Sequence, residues 1–218
     1  MKGKRAWSLH GSSKVVACAF GLLAGLGGIT HGIGEVLQGN VVPEKLWIYS
    51  WATGPIATNM GGEPGITIVP NFLITGILAI VVSAMVMVWS VGFIKDKRGG
   101  WILIILSITM LLVGGGVGPP IIGVLAGVAG LGANTPPYWW RKQLSPNSQR
   151  FLAVLWPWFF GAGMINGVFL TIGSLILVYF FDLNNPDLFT NSFFLMVVLL
   201  ILMIFTGRAY DLQKNRNV

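Results

Sequence analysis

The sequence predicts an all-α, polytopic helical membrane protein with six hydrophobic segments, on the basis of composition, apolar stretches and charge distribution. The chain of 218 residues is 54% hydrophobic and only 10% charged, with a mean hydropathy of +0.75. A soluble domain of this size would need many more polar residues to cover its surface. Several apolar stretches exceed the roughly 20 residues that span a bilayer core. The chain is therefore expected to lie in a lipid bilayer.

Five apolar stretches lie along the chain, and glycine and proline interrupt the third. The stretches cover about 15–38, 66–94, 101–133, 151–181 and 189–207. The interruption consists of Gly114, Gly115, Gly116, Val117, Gly118, Pro119 and Pro120. Proline lacks a backbone donor and resists continuation of a helix, whereas glycine lets a turn close. The chain can therefore reverse here, which would form a short hairpin with arms at 101–116 and 119–133.

The distribution of basic residues favours this reversal over a single pass. With one pass and a cytoplasmic N-terminus, the 14 lysines and arginines divide equally, seven on each side. With a hairpin every later segment changes side, so 13 of the 14 become cytoplasmic and Lys45 is the exception. Lysine and arginine concentrate in the cytoplasmic loops of membrane proteins. The hairpin is therefore favoured, with both termini cytoplasmic.

The whole chain is expected to form a single integral membrane domain with an outer loop at 39–65. Each hairpin arm is only about 24 Å long, which is shorter than the roughly 30 Å hydrocarbon core. The arms are therefore either two short spans or a re-entrant pair, and charge leaves both alternatives open. Non-helical backbone is costly in lipid, so the turn is expected to be buried in protein or to reach water. The predicted spans are 15–38, 66–94, 101–116, 119–133, 151–181 and 189–207.

His31 and Glu35 are the ionisable residues that lie well inside an apolar segment. Four positions apart, they share one face of a helix, and Gln38 extends its polar edge. An ionisable side chain inside a membrane segment is a candidate functional site, and histidine titrates near neutrality. The pair is interpreted as a substrate-binding or proton-binding site. The alternative is a hydrated helix end or a structural hydrogen bond, because Glu35 lies near the end of the segment.

Small residues form a strip beside this polar face, as is typical of close helix packing. The strip contains Gly21, Gly25, Gly28 and Gly32, and a second strip on the later hairpin arm contains Gly123, Gly127 and Gly130. Packing of the two strips against each other would bring His31 and Glu35 near the glycine-proline turn. Asn166 is a further candidate, because an amide in lipid either links two helices or contacts a substrate.

Catalytic and metal-binding signatures are absent from the sequence. No phosphate-binding loop, serine hydrolase motif, zinc-protease helix or dinucleotide fingerprint occurs, so no catalytic residue or cofactor is assigned. One cysteine and two histidines are too few to suggest a metal site. The net charge of +7 is explained by cytoplasmic loops, and the chain lacks the basic stripe of a nucleic-acid-binding protein.

Three functional hypotheses remain open at this point. The first is a small transport or permeation protein, in a proton-linked form, for an unknown solute. The second is a non-catalytic membrane subunit or assembly factor that contacts a membrane-protein partner or forms a homo-oligomer. The third is a membrane-embedded enzyme that uses His31 and Glu35 as acid and base on a lipid-like substrate. Short loops without N-x-Ser/Thr acceptor sites are compatible with a prokaryotic cytoplasmic membrane.

Overall fold

The computed structural model describes residues 11–135 and 142–214, and these residues form a helical bundle. Within the described residues, four helical segments are long and apolar enough to cross a membrane: Ser12–Gln38, Phe72–Gly92, Pro146–Phe181 and Pro186–Lys214. They support the predicted class of helical membrane protein. The bundle also contains one small β-hairpin, which the all-α prediction did not include.

The long helices are separated, after the first of them, by three short elements, two strands and a helix, which lie in or at the end of the predicted outer loop. The helices are α1 Ser12–Gln38, α2 Pro55–Asn59, α3 Phe72–Gly92, α4 Lys97–Leu112, α5 Gly118–Gly130, α6 Pro146–Val168, α7 Ser174–Phe181 and α8 Pro186–Lys214. A π-helical segment, Phe169–Gly173, joins α6 to α7. The strands β1 Trp47–Tyr49 and β2 Pro64–Ile66 pair antiparallel.

The helix boundaries in the structure differ from those of the predicted spans, most of all at the start of the second span and at the end of the last. The span predicted at 66–94 begins later, because Asn71 caps α3 by accepting a hydrogen bond from the amide of Ile74 at 3.0 Å. Residues 66–71 instead continue the loop, which therefore covers 39–71 rather than 39–65. The last helix continues past position 207 to Lys214.

The chain reverses at the glycine-proline break, as the sequence predicts. Helices α4 and α5 run antiparallel, with Gly100 of α4 against the backbone of Gly127 and Gly130 at the far end of α5. Helix α4 begins four residues before the predicted arm of 101–116 and ends at Leu112, and α5 begins one residue before the predicted arm of 119–133 and ends at Gly130. With 16 and 13 residues, they are about 24 and 20 Å long. Both are shorter than the bilayer core.

The turn between α4 and α5 is covered by β2, near the end of the long loop. The amide of Gly114 donates to the carbonyl of Ile66 at 3.0 Å, and the amide of Val117 donates to the carbonyl of Pro64 at 3.1 Å. The Thr75 hydroxyl donates to the Val113 carbonyl at 2.9 Å. Backbone groups that the break frees from helical bonding are thus paired within the protein, as burial away from water requires.

The glycine strip of α1 packs on α3 rather than on the strip of α5, so the predicted contact between the two strips is wrong. A β-carbon on Gly28 would meet Ser83 of α3, and one on Gly32 would lie 2.7 Å from the Gly76 carbonyl oxygen. The strip of α5 instead faces α4, where Gly127 lies against Ile104. The physical reason is that α3 has small residues of its own facing α1, which let the two backbones approach closely.

The described chain begins and ends at the same end of the bundle. Asp211 near the end of α8 accepts hydrogen bonds from the Ser12 amide at 2.8 Å and the Ser12 hydroxyl at 3.0 Å. We call the end with residues 39–71 the loop end, and the other the opposite end. The described basic residues of the opposite end are Lys14, Lys95, Lys97, Arg98, Lys142, Arg150, Arg208 and Lys214. The loop end carries Lys45 with Glu44, Glu63, Asp182 and Asp187.

Candidate functional site

The loop end buries His31 and Glu35, the two ionisable residues in the last two turns of α1. Glu35 is completely buried and His31 is 5% exposed, although both lie within two turns of the end of α1. The loop covers them, and it is held to the helix by Gln38, whose amide donates to the carbonyls of Tyr49 at 3.0 Å and Ser50 at 2.9 Å. Gln38 thus positions the loop over the end of α1, and Glu35 and His31 are buried beneath the loop.

A continuous row of hydrogen bonds joins the two residues through a serine of the loop. The Ser50 hydroxyl donates to Oε1 of Glu35 at 3.1 Å, and Nδ1 of His31 lies 2.9 Å from the same hydroxyl. Ser50 is itself completely buried. We call these three residues, Glu35, Ser50 and His31, the polar row. Its hydroxyl can accept a proton from one neighbour while it donates to the other.

A second carboxylate lies at the other side of the imidazole. Oε2 of Glu63 is 3.7 Å from Nε2 of His31, and this oxygen is buried without a hydrogen-bond partner among the described atoms. Oε2 of Glu35 is likewise buried and without a hydrogen bond. The site therefore contains more acceptor oxygens than donors, so a proton or a cation would be stabilised there.

The glycines of the turn surround the polar row. Gly114 and Gly116 have φ angles of 94° and 78°, which L side chains rarely adopt. A β-carbon on Gly114 would overlap the Glu35 carboxylate, and one on Gly116 would overlap the His31 ring. Gly115 continues the turn by donating its amide to the Met110 carbonyl at 2.8 Å. The turn thus lies directly against the two ionisable residues, although the strip contact from which this was inferred does not exist.

A cavity of about 300 Å³ lies beside the polar row, between α1, α5, the π-helical segment, α7 and α8. His31 and Glu63 form its polar wall, and Gly118 and Pro119 at the start of α5 form a neighbouring wall. The remaining wall is mostly apolar. It includes Leu23, Ile122, Leu170, Leu175, Phe189 and Phe193. An apolar cavity with a few convergent polar groups is the usual form of a small-molecule site.

The π-helical segment contributes two residues to the cavity wall, Leu170 and Thr171. The Thr171 hydroxyl donates to the Gly167 carbonyl at 2.9 Å, and the Ser174 hydroxyl donates to the Leu170 carbonyl at 2.9 Å. Short π-helical segments inside α-helices occur frequently at functional sites. The sequence analysis did not predict this segment. The sequence feature that could have indicated it is the pair of hydroxyl residues, Thr171 and Ser174, beside Gly173 in an apolar stretch.

The other predicted site residues have packing roles in the structure. The Asn166 amide donates to the Ser192 carbonyl at 2.8 Å and thus links α6 to α8. It is not part of the cavity wall described above. Gly28 and Gly32 lie at the α1–α3 contact, and Pro120 is buried in the first turn of α5. The structure therefore brings His31 together with Glu35 and the turn, and leaves Asn166 elsewhere.

The residues described by the structure include no group of three or more histidine, cysteine, aspartate or glutamate side chains that could hold a metal ion. Among the described residues that line the cavity, Glu63 and His31 are the ionisable ones, and neither lysine nor arginine is present.

Comparison with protein-family models, curated proteins and solved structures returned no match. The geometry of the site therefore carries the functional argument.

Proposed function

We propose that this protein is a small proton-linked transporter that binds its solute in the cavity and moves a proton along the polar row. The observation that carries the proposal is the unbroken row of hydrogen bonds from the buried Glu35 carboxyl to the His31 ring at the cavity wall. An ionisable pair inside a membrane segment is the usual mark of a proton or ion pathway.

The row can transfer one proton between the cavity and Glu35 without leaving a charge on the imidazole. When Glu35 is ionised, Ser50 donates to Glu35 and Nδ1–H of His31 donates to Ser50, so Nε2 has a free lone pair on the side of Glu63. A proton that arrives at Nε2 lets the Nδ1 proton pass to Ser50 and the Ser50 proton pass to Glu35. Glu35 is then neutral, and His31 keeps one proton, now on Nε2.

Solute binding can be coupled to this transfer because a buried carboxylate needs compensation. An ionised Glu35 in an apolar bundle, with one hydrogen bond, is costly unless a proton or cation lies nearby. A solute that changes the charge at the cavity wall therefore changes the stability of the proton on Glu35. Coupling of this kind would exchange or co-transport one proton with the solute.

Proteoliposomes that contain a trapped pH-sensitive dye test this proposal. We expect a panel of small aromatic solutes, cationic, neutral and anionic, to include members that cause protein-dependent proton movement under an imposed membrane potential. Glu35→Gln, which keeps the shape but removes the titrating group, should lower this movement to the level of protein-free vesicles. Glu44→Gln, an exposed carboxylate of the same loop, is the matched control and should retain it.

Two outcomes would contradict the transport proposal. Solute-driven proton movement that is unchanged in Glu35→Gln and in His31→Ala would show that the polar row is not the proton path. A fixed stoichiometric partner, together with no flux from the isolated protein, would instead support the hypothesis of a membrane subunit.

A membrane-embedded acid–base enzyme is a second candidate function. It is favoured by the position of His31, which lines the cavity while its Nδ1 is oriented by Ser50 and Glu35. A general base is often held in this way by a second polar group. Mass spectrometry of co-purified lipids would favour this function if one species were altered chemically with His31 present and not in His31→Ala.

We further propose six membrane segments, with the loop end outside and both termini cytoplasmic. The proposal is supported by the excess of basic residues at the opposite end and of acidic residues at the loop end. In a Cys18→Ser background, a membrane-impermeant maleimide should label Asn185→Cys from outside and Gln143→Cys from the cytoplasm. Labelling of Asn185→Cys from the cytoplasm would contradict this orientation.

A further inference from the structure

We infer that the solute of this cavity is a small organic cation with an aromatic or otherwise apolar body. The inference rests on the proposed transport function and adds the chemical class of the substrate. Its charged group would lie in the cavity against the wall that Glu63 and His31 form, and its apolar body would lie against α8 and α5.

The positive charge of the solute is inferred from the unpaired acceptor oxygen at the polar wall. Oε2 of Glu63 is buried without a hydrogen bond, and it faces Nε2 of His31 at 3.7 Å. An anionic solute would be repelled by this carboxylate, and a neutral apolar solute would leave the buried oxygen without a partner. A cation supplies the missing charge, and charge-assisted contacts are stronger than neutral ones. No lysine or arginine among the described lining residues competes for this position.

The apolar body follows from the rest of the wall. Phe189 and Phe193 of α8, Ile122 of α5 and Leu170 of the π-helical segment face the same space. Burial of apolar surface there is favourable at roughly 25 cal/mol per Å², and aromatic rings also attract organic cations through their faces. The cavity volume of about 300 Å³ lies at the small end of small-molecule sites. A molecule with a single ring suits this space.

The cation and the proton would compete for the same position. The proton enters the polar row at Nε2 of His31, 3.7 Å from Oε2 of Glu63, and a cation held against these two residues would occupy the same place, so binding of the cation favours release of the proton. Glu35 faces His31 through Ser50, and the described lining residues of α5, α7, α8 and the π-helical segment contribute no further titratable group. The next carboxylate, Asp182, is engaged by the Asn59 amide at 2.8 Å. Cation affinity should therefore fall as the pH is lowered.

Calorimetric titration of the purified full-length protein in detergent tests the inference with three probes of one shape class. Phenyltrimethylammonium is the cation, tert-butylbenzene is its neutral isostere, and benzenesulfonate is the anion. We expect the cation to bind about tenfold or more tightly than the other two. Glu63→Gln should weaken cation binding by about tenfold, whereas Glu44→Gln, on the exposed part of the same loop, should change it less than about twofold.

Equal affinity for the three probes, or cation affinity unchanged in Glu63→Gln, would overturn the inference. Glu63→Asp keeps the charge and should recover part of the affinity, which separates loss of charge from loss of folding. If Glu63→Gln does not fold, the affinities of the unmodified protein for the three probes still test the inference. Cation binding without any solute-driven proton movement would refute the proposed function and leave the inference. Proton movement driven solely by anionic or neutral solutes would refute the inference about the cation and leave the proposed transport function.

Discussion

Replacing Gly116 with alanine is expected to lower the apparent melting temperature of the protein by about 5 °C or more and to weaken cation binding. Gly116 has a φ of 78°, where an L side chain costs about 1–2 kcal/mol. Its added β-carbon would also overlap the His31 ring. The ring cannot retreat freely, because Ser50 holds Nδ1 at 2.9 Å. Thermal unfolding in detergent, followed by tryptophan fluorescence, measures the first effect, and calorimetric titration measures the second.

Gly161→Ala provides the matched control for this prediction. Gly161 lies within α6, and nothing lies within 4 Å of a β-carbon built there. Alanine favours a helix over glycine by about 1 kcal/mol, so the melting temperature should stay the same or rise. An equal decrease in both variants would mean that the special conformation of the turn does not cause the effect at Gly116.

The chain reversal could be predicted because it depends on quantities that the sequence states directly. The lysines and arginines on each side of the membrane can be counted from the sequence. A reversal at the glycines and prolines between 114 and 120 places nearly all of them on the cytoplasmic side, as is usual for membrane proteins. The helical class follows in the same way from the apolar stretches. The β-hairpin was harder to predict from the sequence. Aromatic residues at every second position, Trp47, Tyr49 and Trp51, are typical of a strand, but aromatic residues also occur in loops at a membrane surface.

Half of the site could be predicted, and the other half depends on a contact between distant segments. His31 and Glu35 are conspicuous because they are ionisable residues in an apolar helix. Ser50 and Glu63 belong to a polar loop, where such residues are ordinary. They join the site because the end of that loop pairs with the glycine-proline turn, as in the bridge between Thr67 and Val113. Nothing local in the sequence specifies this pairing.

The contact between α1 and α3 leads to the second large expected effect, at Gly76. A β-carbon on Gly76 would lie 2.6 Å from the carbonyl oxygen of Gly32 and 2.7 Å from the amide nitrogen of Val36. Both are backbone atoms of α1, so no side-chain rotation can relieve the overlap, and the two helices must move apart. Gly76→Ala is therefore expected to cost about 1–3 kcal/mol and to lower the apparent melting temperature.

The same displacement should also disturb the site, because Gly32 and Val36 flank Glu35 on α1. Moving this part of α1 away from α3 changes the distance from Glu35 to Ser50, so proton movement in proteoliposomes should fall together with stability. Gly92→Ala is the control on the same helix, since nothing lies within 4 Å of its β-carbon, and it should leave both measurements unchanged. If the two alanine variants behave alike, α1 and α3 are not in backbone contact, and the glycine strip of α1 packs on another partner.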